Sequence, residues 1–398
     1  ALALDGGRIL SWSFDGTLRL WDFEGRPLGV PMEGHTSWIN GAWALDGGRI
    51  LSWSRDGTLR LWDCAGRPLG VPMEGHTSWV SGALALDGGR ILSWSFDGTL
   101  RLWDFEGHPL GVPMEGHVVP VNGALALDGK RILSWSLGRT LRLWDLEGHP
   151  IGVPMEGHTD AINGALALDG GRILSWSQDR TLRLWDFEGR PLGVPMEGHT
   201  DAIDGARALD GGRILSWSRD GTLRLWDFEG NPIGVPMQGH TDAINGARAL
   251  DGGRILSWSR DGTLRLWDFE GHPIGVTMQG HTSWVSGVRA LDGKRILSWS
   301  RYGTLRLWDF EGHPLGAPME GHTSWVSGAL ALDGGRILSW SFDGTLRLWD
   351  FEGKALGVYS PFGGPIINVL PIAGESHRFT VIAANWITCL SLAKPGLQ

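Results

Sequence analysis

Along the chain, apolar and polar residues come in short runs bounded by Gly, Pro, Asp and Asn, and no run keeps helical spacing for long enough to form a helix. The pattern is periodic. The segment LDGGRIL, with Lys130 and Lys294 in place of the second glycine in two copies, places its aspartate at Asp5, Asp46, Asp87, Asp128, Asp169, Asp210, Asp251, Asp292 and Asp333, so nine copies share one register of 41 residues. Residues 77–107 and 323–353 are letter-for-letter identical, which argues for recent amplification of a single unit. In the second copy the pattern predicts strands over 38–45, 49–54 and 58–62 and a fourth through Val71 and Met73. Asp46-Gly47-Gly48 and Asp56-Gly57 make the intervening tight turns. Ile50 points to one face of the sheet, Leu51 and Trp53 to the other. A sheet apolar on both faces has to be sandwiched, and stacking copies radially until a ring closes does this economically.

Each copy also carries a Gly-His pair, as at Gly34-His35, and a Trp-Asp pair 27 residues after that histidine, as at Trp62-Asp63, with Ser54 and Asp56 between them. Eight such Gly-His pairs and nine Trp-Asp pairs stand in register. This resembles the WD-repeat β-propeller family in its highly repetitive prokaryotic form, over residues 1–353. The resemblance implies an all-β fold, a single closed β-propeller of about ten four-stranded blades, with the first strand lining a channel and the fourth outermost. It also implies a hydrogen-bonded structural brace in each blade: His35, Ser54, Asp56 and Trp62 in the second, His199, Ser218, Asp220 and Trp226 in the sixth. Residues 354–398 supply the last outer strand and a degenerate tenth blade, so that 1–398 forms one domain. There Gly363 stands where the next histidine is expected and Ser391 where the tryptophan is, while 366–371, 378–383 and 387–392 still read as strands. The chain begins in mid-strand, which fits either closure without strand exchange or a piece of a longer polypeptide.

A net charge of −9 argues against general attraction to nucleic acid or anionic lipid. Cys64 and Cys389 lie far apart in unrelated contexts, which suits packing roles and a reducing compartment and provides no metal-ligand spacing. The longest apolar stretch, 381–393, is too short to span a bilayer, and no signal-like segment opens the chain. The expectation is a cytoplasmic monomer without cofactor or metal.

Ser, His and Asp within one copy could suggest nucleophilic catalysis, but a triad is needed once and this set recurs through the chain, which favours the brace. Gly138 and Tyr302 replace the turn aspartate in the fourth and eighth copies, where the brace should be weaker. His108, His149, His272 and His313 share one turn position in separate copies and read as solvated turn residues.

The informative positions are those where the copies differ. After Gly-His-Thr, four copies carry Trp38, Trp79, Trp284 and Trp325, and three carry Asp160, Asp201 and Asp242. Before the turn aspartate stand Phe14, Arg55, Phe96, Leu137, Gln178, Arg219, Arg260, Arg301 and Phe342. In the first strand, Trp43, Leu84, Leu125 and Leu166 give way to Arg207, Arg248 and Arg289 before Leu330. The sixth to eighth copies thus hold six arginines that the topology should make neighbours on one rim. One reading is a platform for an unknown protein or acidic peptide, since Trp and Arg dominate interface hot spots. The other is that Asp160, Asp201, Asp204 and Asp242 neutralise the arginines and the tryptophans merely cover loops. A non-enzymatic binding scaffold, part of a larger bacterial signalling or defence protein, is the leading function. A binder of an anionic small molecule or nucleic acid through the arginine arc is the alternative, and an enzyme with a channel site the third.

Overall fold

The computed structural model describes residues 2–4, 8–22, 26–360, 364–372, 375–383 and 387–392, and in them the chain is all β. Ten antiparallel sheets follow one another, each made of consecutive strands in simple meander order. The second is typical, with strands Ile39–Leu45, Arg49–Ser54, Leu59–Asp63 and Pro68–Met73. Its register places Ile50 opposite Trp62 and Ser52 opposite Arg60, with a bulge between Ile39 and Gly41. Seven further sheets repeat this plan, beginning at Val80, Val121, Ile162, Ile203, Ile244, Val285 and Val326.

Two sheets depart from it. The first has three strands, Leu2–Leu4, Arg8–Trp12 and Leu18–Asp22, and its fourth is reduced to the isolated bridges Leu18↔Met32 and Trp21↔Pro27. Eight rather than nine repeats are therefore fully four-stranded. Residues 27–32 match Pro68–Met73 letter for letter, so nothing in the local sequence explains the difference. The tenth sheet has the three expected strands, Ile366–Ile372, Glu375–Ala383 and Ile387–Ser391. Leu390, not Ser391, takes the register of the tryptophan, because it faces Phe379 as Trp62 faces Ile50. Gly363 and the side chain of Cys389 lie outside the described residues, and Cys64 is exposed rather than packed.

The hydrophobic core lies between repeats. Leu45, Leu51, Leu59, Leu61 and Met73 of the second sheet pack on Val80, Ala83, Ile91 and Trp103 of the third, and equivalent residues build the same cluster further along. Trp62 and its counterparts from Trp103 to Trp349 are almost fully buried, each contributing about 3 kcal/mol of apolar burial. In five repeats the arginine that opens the second strand lies over the phenylalanine that follows the next Trp-Asp pair. Arg49 sits 4.1 Å from the Phe105 centroid, Arg254 4.2 Å from Phe310, and Arg295 4.0 Å from Phe351. By internal contacts the chain resolves into two compact units, one made of Ala1–Asp22 and Pro27–Ile203, the other holding Asp204–Gln398. Among the described residues, no helix is long and apolar enough to cross a membrane.

A glycine in the first strand of the second to ninth sheets is dictated by the tryptophan opposite. Gly246 pairs with Trp258, and a Cβ at Gly246 would fall inside the indole ring. Gly246→Ala should therefore lower stability by about 1–3 kcal/mol through overpacking, measured by urea unfolding. An unchanged midpoint would mean that Trp258 moves aside without cost.

Candidate functional site

Two constellations recur at the loop end of the sheets, one buried and one on the surface. The buried one is a hydrogen-bonded chain. Trp62 Nε1 donates to Ser52 Oγ at 2.9 Å, Ser52 Oγ lies 2.8 Å from His35 Nε2, and His35 Nδ1 lies 2.9 Å from Asp56 Oδ2. An indole N–H only donates, so the serine hydroxyl accepts from it and donates to Nε2, which leaves the proton on Nδ1 facing the carboxylate. Thr58 Oγ1 and the Thr58 and Thr36 backbone amides complete the shell around Asp56. The serine of the brace is thus Ser52, two residues before the expected Ser54. Side chains 50, 52 and 54 share a face, but only 52 lies level with both the tryptophan and the histidine. Ser54 instead accepts from the Asp56 amide and donates to the Ser37 carbonyl, holding the turn against the preceding loop.

The same chain forms through His76, His158, His240 and His322. In the sixth repeat Trp226 donates to Ser216, not Ser218, at 2.9 Å; Ser218 accepts from the Asp220 amide, and His199 is buried. Burial would push the Asp56, Asp97, Asp179 and Asp261 carboxyls up, but hydrogen bonds and the paired histidine outweigh it and hold them well below the usual carboxylate range. Ser52 is fully buried, with its hydroxyl bonded to Trp62 and His35, so no substrate can reach it. The arrangement ties strands together and leaves no free nucleophile.

Where the aspartate is missing, the chain is cut short. His281 Nδ1 turns to Thr304 Oγ1 at 2.7 Å, and His117 Nδ1 has no partner. Burial, with Arg306 adding repulsion, pushes His281 down to about 3; burial and Arg142 push His117 down to about 4. At the opposite end of each sheet, the aspartate of Trp-Asp caps the next turn. Asp104 Oδ1 accepts from the Glu106 and His108 amides, and His108, His149, His272 and His313 each lie 3.1–3.2 Å from such an aspartate.

The surface constellation is a row of stacked rings and guanidiniums. In the first unit Phe14 lies 4.4 Å from Trp38, Arg55 is 4.3 Å from both Trp38 and Trp79, and Trp79 is 5.4 Å from Phe96. In the second unit Arg260 is 4.7 Å from Trp284, Arg301 is 4.6 Å from Trp284 and 4.1 Å from Trp325, and Trp325 is 5.8 Å from Phe342. Backbone bonds such as Arg301 N to the Trp284 carbonyl, 2.9 Å, hold each pair in place. The four tryptophans remain 37–43% exposed. Beside this row in the second unit lies a cleft of about 480 Å³, lined by Trp284, Trp299, Trp325, Phe342, Arg301 and Ser286 among others.

The six arginines do not form one cluster. Arg219, Arg260 and Arg301 belong to the loop row, whereas Arg207, Arg248 and Arg289 sit inside first strands, Arg248 opposite Leu256 and Arg289 opposite Leu297. Four residues of strand separate Arg248 from Ile244 beside the loop, about 13 Å. Neutralisation by aspartate is seen at Arg219, whose Nε donates to Asp204 at 2.9 Å. Asp160 and Asp242 instead bond the amides of Ala161 and Ala243.

The family model "WD domain, G-beta repeat" matches residues 25–63, 66–104, 148–186, 189–227, 230–268 and 313–350, more than half of the chain. The chain belongs to the WD40-repeat family. The two interior WD40 repeats outside the match are those where Gly138 and Tyr302 replace the aspartate. Among solved structures, it is similar to the computationally designed Ika8 protein, at 25% identity and a TM-score of 0.52 over 80% of this chain and 98% of that one. Similarity to the WD40 β-propeller domain of Doa1 is 21% identity and a TM-score of 0.42, over 75% of this chain and 97% of that one. No curated protein matches the chain. WD40 propellers are typically scaffolds for protein interaction and generally not enzymes.

Replacing His240 with Ala leaves Asp261 and Ser257 short of a buried partner, and it should cost about 1–3 kcal/mol in chemical denaturation. The truncated braces give a pH dependence of definite sign. An unfolded histidine takes its proton near pH 6.5, whereas folded His281 and His117 resist until about 3 and about 4. Their contribution is therefore complete above pH 6.5 and is lost as pH falls toward 4. Tyr302→Asp, which restores the missing carboxylate beside His281, should raise the melting temperature at pH 7 and reduce its fall between pH 7 and pH 4.5. An equal fall in both proteins would show that His281 does not cause it.

Proposed function

We propose that this WD40 chain is a non-enzymatic protein-binding scaffold and that the loop row of the second unit receives an acidic peptide. The observation that carries this reading is the exposed alternation Arg260–Trp284–Arg301–Trp325, in which neither guanidinium is paired to a carboxylate among the described residues. Stacking fixes the side chains in advance, so less rotamer entropy is lost when a partner binds. Trp and Arg are also the residue types that most often dominate interface energetics. As further parts of the proposal, the ten sheets close into one ring in a monomer, and the protein works in the cytoplasm as a module of bacterial signalling or defence.

A second reading rests on Arg207, Arg248 and Arg289, which have no hydrogen-bond or ion-pair acceptor among the described residues. These could hold an anionic small molecule or a nucleic acid. Binding of a single-stranded oligonucleotide, weakened by Arg248→Ala and steeply by salt, would favour it.

The test of the first reading is fluorescence anisotropy with a labelled peptide in which Asp and Phe alternate. Affinity should fall as salt rises, and Arg260→Ala should weaken it about fivefold. His272→Ala, at the opposite end of the same sheet, should leave affinity unchanged. Binding indifferent to both salt and Arg260 would overturn the platform.

A further inference from the structure

The loop row repeats one device with one exception. Arg55 Nε donates to Asn40 Oδ1 at 3.2 Å, Arg219 Nε to Asp204 Oδ1 at 2.9 Å, and Arg260 Nε to Asn245 Oδ1 at 3.2 Å; each partner stands 15 residues earlier. The residue 15 before Arg301 is Ser286, whose side chain is too short to reach it. Among the described residues, no acceptor meets the Arg301 guanidinium, whose contacts are the rings of Trp284 and Trp325. With rings over its faces, what it offers is its N–H edge, already fixed in orientation.

That edge belongs to the cleft of about 480 Å³, whose wall also includes Trp299, Phe342 and Ile367, with the Ser286 hydroxyl beside them. The volume suits a few side chains. One guanidinium can satisfy one carboxylate through two parallel hydrogen bonds. A phosphate monoester carries nearly twice that charge and would find no second cation in the wall.

The geometry points to this cleft as a carboxylate-binding subsite, occupied by a peptide segment in which an acidic residue precedes bulky apolar ones. The carboxylate meets the Arg301 edge, and the apolar side chains pack on Trp299, Phe342 and Ile367. This rests on the scaffold reading and supplies its anchor. The first unit differs at this point, because Asn40 already accepts from Arg55 Nε.

Calorimetric titration of the full chain with the acetylated, amidated pentapeptide Gly-Glu-Phe-Leu-Gly tests the assignment. It should bind about tenfold more tightly than its glutamine counterpart. Arg301→Gln should remove that preference, and so should Ser286→Asn, which supplies the internal partner found in the neighbouring repeat and leaves Arg301 in place. Melting of Ser286→Asn should match the parent, and Arg55→Gln should keep the preference. Equal binding of the two peptides, or a preference that survives Ser286→Asn, overturns the subsite. If the subsite fails while the longer Asp–Phe peptide still binds in an Arg260-dependent way, the scaffold reading stands without this anchor. If that peptide also fails to bind, the scaffold reading falls with it.

Discussion

Ile50 and Leu51 point to opposite faces of one sheet, and neither meets water. A sheet with that property has no stable existence alone, because each face exposes a row of large apolar side chains until another sheet covers it. The core clusters accordingly never belong to one repeat; each takes residues from two. Within each unit, several consecutive sheets are further joined by Arg–Phe contacts, such as Arg49 on Phe105 and Arg254 on Phe310. Once the faces must stack, the remaining polar groups have few places left to go.

The brace follows from that constraint. Burying Trp62 also buries its N–H, which needs an acceptor; Ser52 provides one and passes the demand to His35 and then to Asp56. Each member is buried because the one before it is. Deleting the terminal carboxylate leaves His281 and His117 neutral and less well held, while Trp308 and Trp144 keep their bonds to Ser298 and Ser134. The damage stays at the loop end of the chain. That explains how Gly138 and Tyr302 are tolerated inside an otherwise regular array.

The strand order, the turns and the two-sided burial were legible from a 41-residue period because strand alternation and turn chemistry are local properties. The partners within the brace were less so. Ser52 and Ser54 both recur in every regular copy, and only the register opposite Trp62 distinguishes them. The rim was read in outline, but two variable positions that look equally suggestive in sequence, Arg248 and Arg260, end in separate rows because one lies mid-strand and the other in a loop. Contacts between repeats left the faintest trace. The Arg254–Phe310 and Arg301–Trp325 pairs join residues that a reading of one repeat at a time never sets side by side.

The same separation of duties bears on how such a protein acquires a binding surface. Core, brace and inter-repeat contacts hold the backbone at the loop row, so substitutions there change chemistry without moving the main chain. Arg55, Arg301 and Phe342 each bond through the backbone amide to the tryptophan 17 residues earlier, whatever side chain they carry. Against this fixed frame, a change as small as Asn to Ser at one position alters what a neighbouring cation can do. Arg260, stacked on Trp284, spends an N–H on Asn245, whereas Arg301, stacked on Trp284 and Trp325, faces Ser286 and keeps its donors for a partner. In an array whose copies are nearly identical, specificity therefore resides where one repeat fails to satisfy a group that its neighbours do.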